Sequence, residues 1–307
     1  MTESGKLDSV KNKIAQIGNN VVLTSPNSNT IVVRREGFVN NVNSIEKEFK
    51  KIKGVLHVKV INRHLNRKQV DLKEAFRTNR CRIVFDVDGT LTQLGPGTIH
   101  PVIEDVFKKI NGKGIRIYIA TGRSMYDLNT ILKNYPTIEK HSICENGGLI
   151  LGFPPDNYFE FGDKTEPNKV LEYLQTKYGV KEDMIQGDRF TEVIFLKKDV
   201  SLKKIEEARK KKGAKISINE SERAFHISKD GIHKGTAILE LAKRMHWENT
   251  MIIAVGDTDM DIKMFEKASY SFAMGNATPG AKAAASQVLK GKYEKGIQEI
   301  YELIKKV

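Results

Sequence analysis

The chain has 307 residues, of which 39% are hydrophobic and 29% charged, a composition that excludes fibrous and disordered proteins and allows two or three globular domains. The first residues hold no apolar core of the kind a secretory signal needs, and no apolar run approaches the roughly 20 residues that span a bilayer. We therefore expect a cytoplasmic protein without a membrane partner. Its two cysteines, Cys81 and Cys144, form no CxxC pair, so neither a zinc site nor a disulfide framework is indicated.

The positive charge is concentrated near the N-terminus. The formal net charge is +13, and residues 1–80 hold 16 Lys and Arg against 7 Asp and Glu. A basic segment suits nucleic acid or another acidic partner. A solvated basic face is the alternative, and it is favoured because no RNP, zinc-finger or Arg-rich signature accompanies the charge.

The first predicted elements form a small mixed α/β module. They are strands over Val21–Thr24 and Thr30–Val33, a helix over Ser44–Lys53 and a strand over Val55–Val60. We assign residues 1–79 to this basic accessory module, because a polar stretch ends there and a strongly apolar strand follows.

Strands and helices alternate from Cys81 onward. The predicted elements are the strand Ile83–Phe85, the helix Val102–Ile110, the strand Ile115–Ala120 and the helix Ser124–Lys133, then the helix Thr236–Met245 and the strands Met251–Val255 and Tyr270–Ala273. Such alternation predicts an α/β fold with a Rossmann-like parallel sheet and helices on both faces.

An insert with its own rhythm interrupts this core. It contains a predicted helix over Asn168–Lys177, a strand over Thr191–Leu196, a helix over Leu202–Lys212 and strands over Lys215–Asn219 and Ala224–Ser228. We predict a separate α+β lid over residues 154–230, between the two halves of the core at 80–153 and 231–307.

Two carboxylates, Asp86 and Asp88, follow the first core strand at a Gly-containing turn, which is where open α/β sheets bind ligands. Phosphoryl transfer needs a nucleophile and a proton donor, so Asp86 would attack and Asp88 would shuttle protons. A calcium loop is excluded, because its sixth and twelfth positions would be Leu91 and Gly97 instead of Gly and Glu. A surface Asp-Gly turn remains the alternative.

Two further clusters suit a phosphate group. Thr121-Gly122-Arg123 offers a hydroxyl and backbone amides at a strand end and a helix start, although an ordinary turn that caps the next helix has the same pattern. Lys234 precedes a predicted helix, and its ammonium group would neutralise phosphoryl charge. In a Lys-rich chain this lysine carries little weight alone.

A last acidic cluster follows the strand that ends at Val255. Asp257 and Asp261 place carboxylates at the strand end and at the next helix start, which suits a hard cation. A calcium loop fails here too, since its sixth and twelfth positions would be Ile262 and Ala268. An exposed acidic helix start is the alternative.

Taken together, the four clusters, in the order Asp, Thr, Lys, Asp, resemble the four motifs of the haloacid dehalogenase superfamily over about residues 82–307. The resemblance implies a nucleophilic Asp86, an acid/base Asp88, and phosphate binding by Thr121 and Lys234, with Gly122 and Arg123 beside them. It also implies that Mg2+ is the cofactor. The metal ligands would be Asp86, Asp257, Asp261 and the backbone carbonyl of Asp88.

The spacing resembles the branch of this superfamily that carries a C2 cap. Asp86 and Thr121 are 35 residues apart, which leaves no room for a lid, whereas 113 residues separate Thr121 from Lys234. The strings Glu-Asn-Gly-Gly at 145–148 and Met-Gly-Asn-Ala at 274–277 further resemble Cof-like and archaeal phosphoglycolate phosphatase members. Asn146 and Asn276 are therefore candidates around the phosphate and metal.

Two departures from those relatives concern the substrate. They commonly have Asn where this chain has Met260, and they lack the basic N-terminal module. Lid residues that would choose the substrate are nominated from their position alone, with structural roles as the alternative: Arg189, Thr191, Glu192 and His226.

These observations predict a Mg2+-dependent phosphatase that acts on a small phosphorylated metabolite, either phosphoglycolate or a sugar phosphate, through an aspartyl-phosphate. A phosphomutase of the same superfamily is one alternative. The other is a nucleic-acid-associated phosphatase or binding protein that uses the basic N-terminal module. The sequence leaves the oligomeric state open.

Overall fold

A computed structural model describes residues 20–24, 31–34, 72–78, 80–93, 98–180, 189–221 and 223–306. Strand β1 (Asn20–Thr24) pairs antiparallel with β2 (Ile31–Arg34), close to the two strands predicted there. The predicted helix over 44–53 and strand over 55–60 lie outside the described residues, as does most of the segment that would meet a nucleic acid. Among the described helices, none combines the length and the apolar character that a membrane span requires.

The remaining strands are β3 (Cys81–Phe85), β4 (Arg116–Ile119), β5 (Ile143–Cys144), β6 (Leu149–Leu151), β7 (Tyr158–Glu160), β8 (Glu192–Leu196), β9 (Ile216–Glu220), β10 (Ala224–Lys229), β11 (Met251–Gly256), β12 (Tyr270–Ala273) and β13 (Gln287–Val288). The helices are α1 (Leu72–Arg77), α2 (Pro101–Asn111), α3 (Met125–Asn134), α4 (Thr165–Tyr178), α5 (Leu202–Lys212), α6 (Lys234–Arg244), α7 (Ile262–Lys267), α8 (Pro279–Ala284) and α9 (Tyr293–Lys305). Short 3-10 turns occupy Glu145–Gly147 and Asp259–Asp261.

The central sheet confirms the predicted parallel α/β core. Its strand order is β13-β12-β11-β3-β4, and every neighbouring pair is parallel. Ile83 on β3 pairs with Ile253 on one side and Ile117 on the other, and all three side chains are fully buried. Burying one such side chain contributes about 2 kcal/mol, which is why a parallel sheet covered on both faces needs continuous apolar strands.

Because these strands run in one direction, their carboxyl ends share one edge of the sheet. The Asp86 amide donates to the Val255 carbonyl at 2.9 Å, and the Ala120 amide donates to the Phe85 carbonyl at the same distance. The segments that follow β3, β4 and β11 therefore start side by side. This edge is where the predicted catalytic clusters lie.

A small antiparallel sheet, β5-β6-β7, adjoins β4 through a bridge between Ala120 and Ile143. The sequence pattern did not indicate this sheet. Phe159 on its last strand and Phe161 just after that strand pack against the main core. We therefore propose that the lid begins after β7 and not at residue 154.

The lid region has its own hydrophobic core. The antiparallel sheet β8-β10-β9 packs with α4 and α5, and its buried side chains include Val170, Leu174, Phe195, Ile205 and Ile227. These elements match the five predicted for the insert to within a few residues. Near the N-terminus, Ala75 and Phe76 of α1 are buried in the main core, so we propose that this core begins before residue 80.

Candidate active site

Lys234 joins two of the predicted acidic residues. It is the first residue of α6, and its Nζ donates to Asp86 Oδ1 and to Asp261 Oδ1, both at 2.7 Å. All three side chains are more than nine-tenths buried. A buried ammonium group between two carboxylates is strongly held in the charged form, and the pKa of Lys234 is raised because the pull of the two aspartates exceeds the effect of burial.

Asp257 enters the same cluster from the end of β11. Its Oδ1 accepts a hydrogen bond from the Thr90 hydroxyl at 2.9 Å. Gly89 lies directly against this carboxylate with a φ of +83°, and a Cβ at that position would overlap Asp257. Asn276 donates from Nδ2 to the Gly89 carbonyl at 2.7 Å and lies 3.5 Å from Asp257 Oδ2. Only a glycine at position 89 therefore lets the Asp257 carboxylate lie this close to the turn that follows β3.

Asp86, Asp257 and Asp261 form a carboxylate cluster in which each offers an oxygen within 4.8 Å of the others. Burial raises the pKa of both Asp86 and Asp257, and the neighbouring carboxylates raise both further, although Lys234 opposes the shift. Among the described residues, one ammonium group, that of Lys234, therefore faces three buried carboxylates. Oxygen ligands with this excess of negative charge fit a hard divalent cation such as Mg2+.

Asp261 is the member of the cluster with the least free capacity. Its Oδ2 accepts from the amides of Asp257 and Thr258, both at 3.0 Å, while Oδ1 accepts from Lys234. These bonds fix the turn between β11 and α7 and hold the lysine in place. Asp86 and Asp257 have more oxygen lone pairs left for a cation.

Asp88 lies at the rim of the cluster, with its side chain 41% exposed. Arg123 donates hydrogen bonds to both carboxylate oxygens of Asp88, from Nε to Oδ2 at 2.9 Å and from Nη2 to Oδ1 at 2.7 Å. The sequence motif suggested that Arg123 binds the phosphate, whereas in the structure its guanidinium group makes a bidentate ion pair with Asp88, the predicted acid/base. Such a pair fixes the orientation of the carboxylate as well as its position.

Thr121 is fully buried next to this pair, at the turn between β4 and α3. Its Oγ1 accepts from the Arg123 amide at 3.1 Å, and its backbone amide donates to the Ile143 carbonyl at 2.9 Å. Gly122 completes the turn, and Ser124 caps α3 by accepting from the Asp127 amide. Hydrogen bonds therefore fix the conformation of this turn, which lies on the same sheet edge as Asp86.

Asn146 lies farther toward the lid than the other predicted residues. Its amide donates to the Thr121 carbonyl at 3.0 Å, while its side-chain Nδ2 donates to Glu192 Oε2 at 2.9 Å. Glu145 and Asn146 have positive φ angles of 48° and 53°, a costly conformation for residues other than glycine. This strained turn connects the Thr121 loop with strand β8.

Two residues that hold the site together, Thr90 and Glu145, were not predicted from the sequence. Thr90 orients Asp257, although its place in the Asp-Val-Asp-Gly-Thr string made it visible. Glu145 accepts from the amides of Phe190 and Thr191 and from the Thr191 hydroxyl, the last two at 2.8 Å. Only the unusual string Glu-Asn-Gly-Gly signalled this second residue.

Comparison with known proteins identifies the family. A family model described as haloacid dehalogenase-like hydrolase matches residues 83–181 and 156–300. A phosphoglycolate phosphatase of Pyrobaculum aerophilum is 32% identical over 230 residues, which is 73% of this chain and 96% of that protein. A phosphoglycolate phosphatase of Methanococcoides burtonii is 30% identical and covers 72% and 94% of the two chains.

Solved structures share the fold. A Thermoplasma acidophilum protein superposes with a TM-score of 0.63 at 23% identity, covering 74% of this chain and 99% of that one. A sugar phosphatase described as HAD subclass IIB gives a TM-score of 0.58 at 20% identity, over 74% and 98% of the chains. The family match, the relatives and the strand-end cluster agree with the sequence-based expectation. The chain belongs to the haloacid dehalogenase-like hydrolases and is a phosphatase of that family.

Proposed function

We propose that this phosphatase hydrolyses phosphomonoesters of small metabolites in a Mg2+-dependent reaction that passes through a phosphoryl group on Asp86. The observation that carries the proposal is the meeting of Asp86, Asp257, Asp261 and Lys234 in one buried cluster. Relatives named phosphoglycolate phosphatase and a fold neighbour named sugar phosphatase support phosphoglycolate or a sugar phosphate as the substrate.

In the first step, a carboxylate oxygen of Asp86 attacks phosphorus and the bond from phosphorus to the leaving oxygen breaks. Asp88, protonated at this stage, donates its proton to that leaving oxygen and becomes the carboxylate that Arg123 orients through two hydrogen bonds. Lys234 and the Thr121 loop receive the other phosphoryl oxygens, whose negative charge would otherwise repel the nucleophile. The product alcohol then leaves.

In the second step, Asp88 takes a proton from water, and the oxygen of that water attacks the phosphorus of the aspartyl-phosphate. The bond between Asp86 and phosphorus breaks, which releases inorganic phosphate and restores the carboxylate. A phosphomutase would instead return the phosphoryl group to a sugar hydroxyl. Release of free phosphate therefore distinguishes the two reactions.

Asp86, Asp257 and the backbone carbonyl of Asp88 would hold the Mg2+. Asp261 would instead hold the Lys234 ammonium group in position and fix the turn that carries Asp257. When bound, the metal supplies positive charge that offsets the repulsion between the carboxylates and the phosphoryl oxygens. The excess of buried carboxylates over ammonium groups in the cluster supports this assignment.

The test of the proposed function is Asp86→Asn. We expect this variant to lose phosphate release and the hydroxylamine-sensitive phosphate that labels the wild-type protein during turnover. Asp105→Asn is the matched control, because Asp105 is an exposed carboxylate on α2. Phosphate release by Asp86→Asn at the rate of this control would contradict the nucleophile assignment.

A further inference from the structure

A second polar cluster lies where the lid meets the core. We call Glu145, Asn146, Arg189, Glu192 and His226 the junction cluster. Glu145 holds the backbone at the start of β8 through the hydrogen bonds described above, and Glu192 is the first residue of that strand. His226, on the neighbouring strand β10, has Nδ1 at 3.4 Å from Glu192 Oε2. The cluster is therefore fixed from both the lid and the core.

The junction cluster reaches the phosphate loop at Gly122. Arg189 donates from Nη1 to the Gly122 carbonyl at 2.7 Å and also pairs with Glu192. Asn146 binds Glu192 from the other side, and its Oδ1 lies 2.9 Å from the position that a Cβ on Gly122 would take. Gly122 is the neighbour of Thr121, so the side chains of Arg189 and Asn146 lie next to the place proposed for the phosphoryl group.

Two polar atoms of the cluster have no hydrogen-bond partner within the part of the chain that the structure describes. They are Arg189 Nε, a donor, and Asn146 Oδ1, an acceptor, and both are buried. Leaving such an atom unsatisfied costs about 1–3 kcal/mol, so native proteins seldom leave two of them together. A hydroxyl group both donates and accepts, so it can satisfy either kind of atom.

The charges of the cluster argue against a carboxylate at this position. Burial alone would raise the pKa of Glu192, but Arg189 and His226 beside it lower that pKa to about 2, so Glu192 is ionised and matches the charge of Arg189. Glu145 adds a second buried carboxyl group. The described cluster thus holds two carboxyl groups and two basic side chains, Arg189 and His226, so a substrate carboxylate would lack a matching charge, and burying such a carboxylate is costly.

We propose that the junction cluster binds a hydroxyl group on the leaving alcohol of the substrate, so that the enzyme prefers hydroxyl-bearing phosphomonoesters to carboxylate-bearing ones. This inference rests on the proposed function, since it concerns the alcohol that departs from phosphorus. It also separates the chain from its relatives named phosphoglycolate phosphatase, because the substrate in that name carries a carboxylate.

The first test compares two nearly isosteric substrates. In 2-hydroxyethyl phosphate a CH2OH group replaces the carboxylate of phosphoglycolate, and p-nitrophenyl phosphate has neither group. We expect kcat/KM for 2-hydroxyethyl phosphate to exceed that for phosphoglycolate by at least about 10-fold. Equal values, or a preference for phosphoglycolate, would overturn the inference while p-nitrophenyl phosphate hydrolysis still supports the phosphatase. Failure to hydrolyse all three compounds would overturn both proposals.

The second test removes the Arg189 donor without leaving a buried charge alone. In the double variant Arg189→Gln/Glu192→Gln, the kcat/KM ratio of 2-hydroxyethyl phosphate to phosphoglycolate should fall to about one. Arg189→Lys keeps the positive charge that faces Glu192 but lacks Nε, so it should lower the same ratio. This single variant provides the test if the double variant does not fold. The ratio is the decisive quantity, since damage to the fold lowers both rates together.

The matched control is Lys197→Gln/Glu220→Gln, which removes an ion pair from the same lid sheet. This variant should keep the wild-type ratio. If both double variants keep it, or if both change it equally, the junction cluster does not select the hydroxyl group and the inference is wrong.

Discussion

The carboxylate cluster and the junction cluster are both buried and polar, but the first has an excess of negative charge and the second has paired charges. In the carboxylate cluster, three aspartates share one lysine, and burial together with mutual repulsion raises the pKa of Asp86 and Asp257. In the junction cluster the charge of Arg189 is matched by Glu192, and the atoms that have no hydrogen-bond partner among the described residues are Asn146 Oδ1, an acceptor, and Arg189 Nε, a donor. This difference is why we propose a cation for the first site and a neutral hydroxyl group for the second.

The two clusters also differ in what assembles them. Parallel strands place Asp86 and Asp257 at one sheet edge, so the carboxylate cluster follows from the direction of the chain. The junction cluster depends on how the lid docks, through bonds such as that between Glu145 and the Thr191 amide. We therefore expect substitutions in the first cluster to abolish chemistry and those in the second to alter stability or selectivity.

The largest effect is expected from Lys234→Met. Removing the ammonium group leaves Asp86 and Asp261 buried without a counter-charge, which should lower the free energy of unfolding by about 3–5 kcal/mol. Loss of the phosphoryl contact should lower kcat by about 1000-fold. Phosphate-release kinetics and urea unfolding measure the two effects. Lys243→Met, at an exposed position on the same helix, should change neither, and equal behaviour of the two variants would contradict the role of Lys234.

A smaller loss is expected from Gly89→Ala, with Gly231→Ala as its control. Both glycines have φ near +80°, so both alanines carry about 1–2 kcal/mol of backbone strain. Only the Cβ at position 89 meets the Asp257 carboxylate, whereas nothing lies within 4 Å of the one at 231. Gly89→Ala should therefore lower kcat by about 100-fold and shift Mg2+ saturation upward in a metal titration. An unchanged titration would show that Gly89 does not set the Asp257 position.

This contrast explains how much the sequence could reveal. Three of the four motifs, those of Asp86, Thr121 and Asp257, followed a core strand that apolar patterning predicted, and strand direction then placed them together. The pairing of Arg123 with Asp88 was not predictable, because the two are 35 residues apart and many acceptors compete for a guanidinium group. The bond from Thr90 to Asp257 spans 167 residues and depends on how closely two loops approach. Sequence patterning predicts strand ends and not the rotamers of the side chains that meet there.

The shortest strands could not be predicted from the sequence either. Strands β5 and β13 have two residues each, too few to show the alternation on which prediction depends. The sheet β5-β6-β7 therefore went unrecognised, and with it the position of Glu145 just after β5. The longer lid elements were predicted to within a few residues because their apolar faces repeat several times.

Asp257→Asn should stabilise the metal-free protein while removing its response to Mg2+. Burial and the charges of Asp86 and Asp261 raise the pKa of Asp257 above its ordinary value of 3.8, so the folded state binds a proton more tightly than the unfolded chain. Without metal, wild-type stability should thus fall as pH rises above that value, and the variant should gain about 1–3 kcal/mol at pH 8. Thermal melts with and without Mg2+ measure both effects. An equal Mg2+-induced rise in both proteins would exclude Asp257 as a ligand.

The smallest effect is expected at the junction, from Glu145→Gln. The glutamine oxygen can keep the bonds that Oε2 accepts, but the amide nitrogen in place of Oε1 cannot accept from the Phe190 amide and meets another donor, so unfolding should become easier by about 1 kcal/mol.

The loss should also depend on pH, and the sign follows from the pKa of Glu145. Burial and the charge of Glu192 raise that pKa above 4.5, so the wild-type carboxyl group contributes less stability as pH rises past this value. The difference between wild type and Glu145→Gln should therefore narrow between pH 5 and pH 8 in urea unfolding. Glu172→Gln, at an exposed position on α4, is the control and should show neither the loss nor the narrowing. A difference that widens toward pH 8 would mean that the ionised form of Glu145 is the one that holds the lid strand.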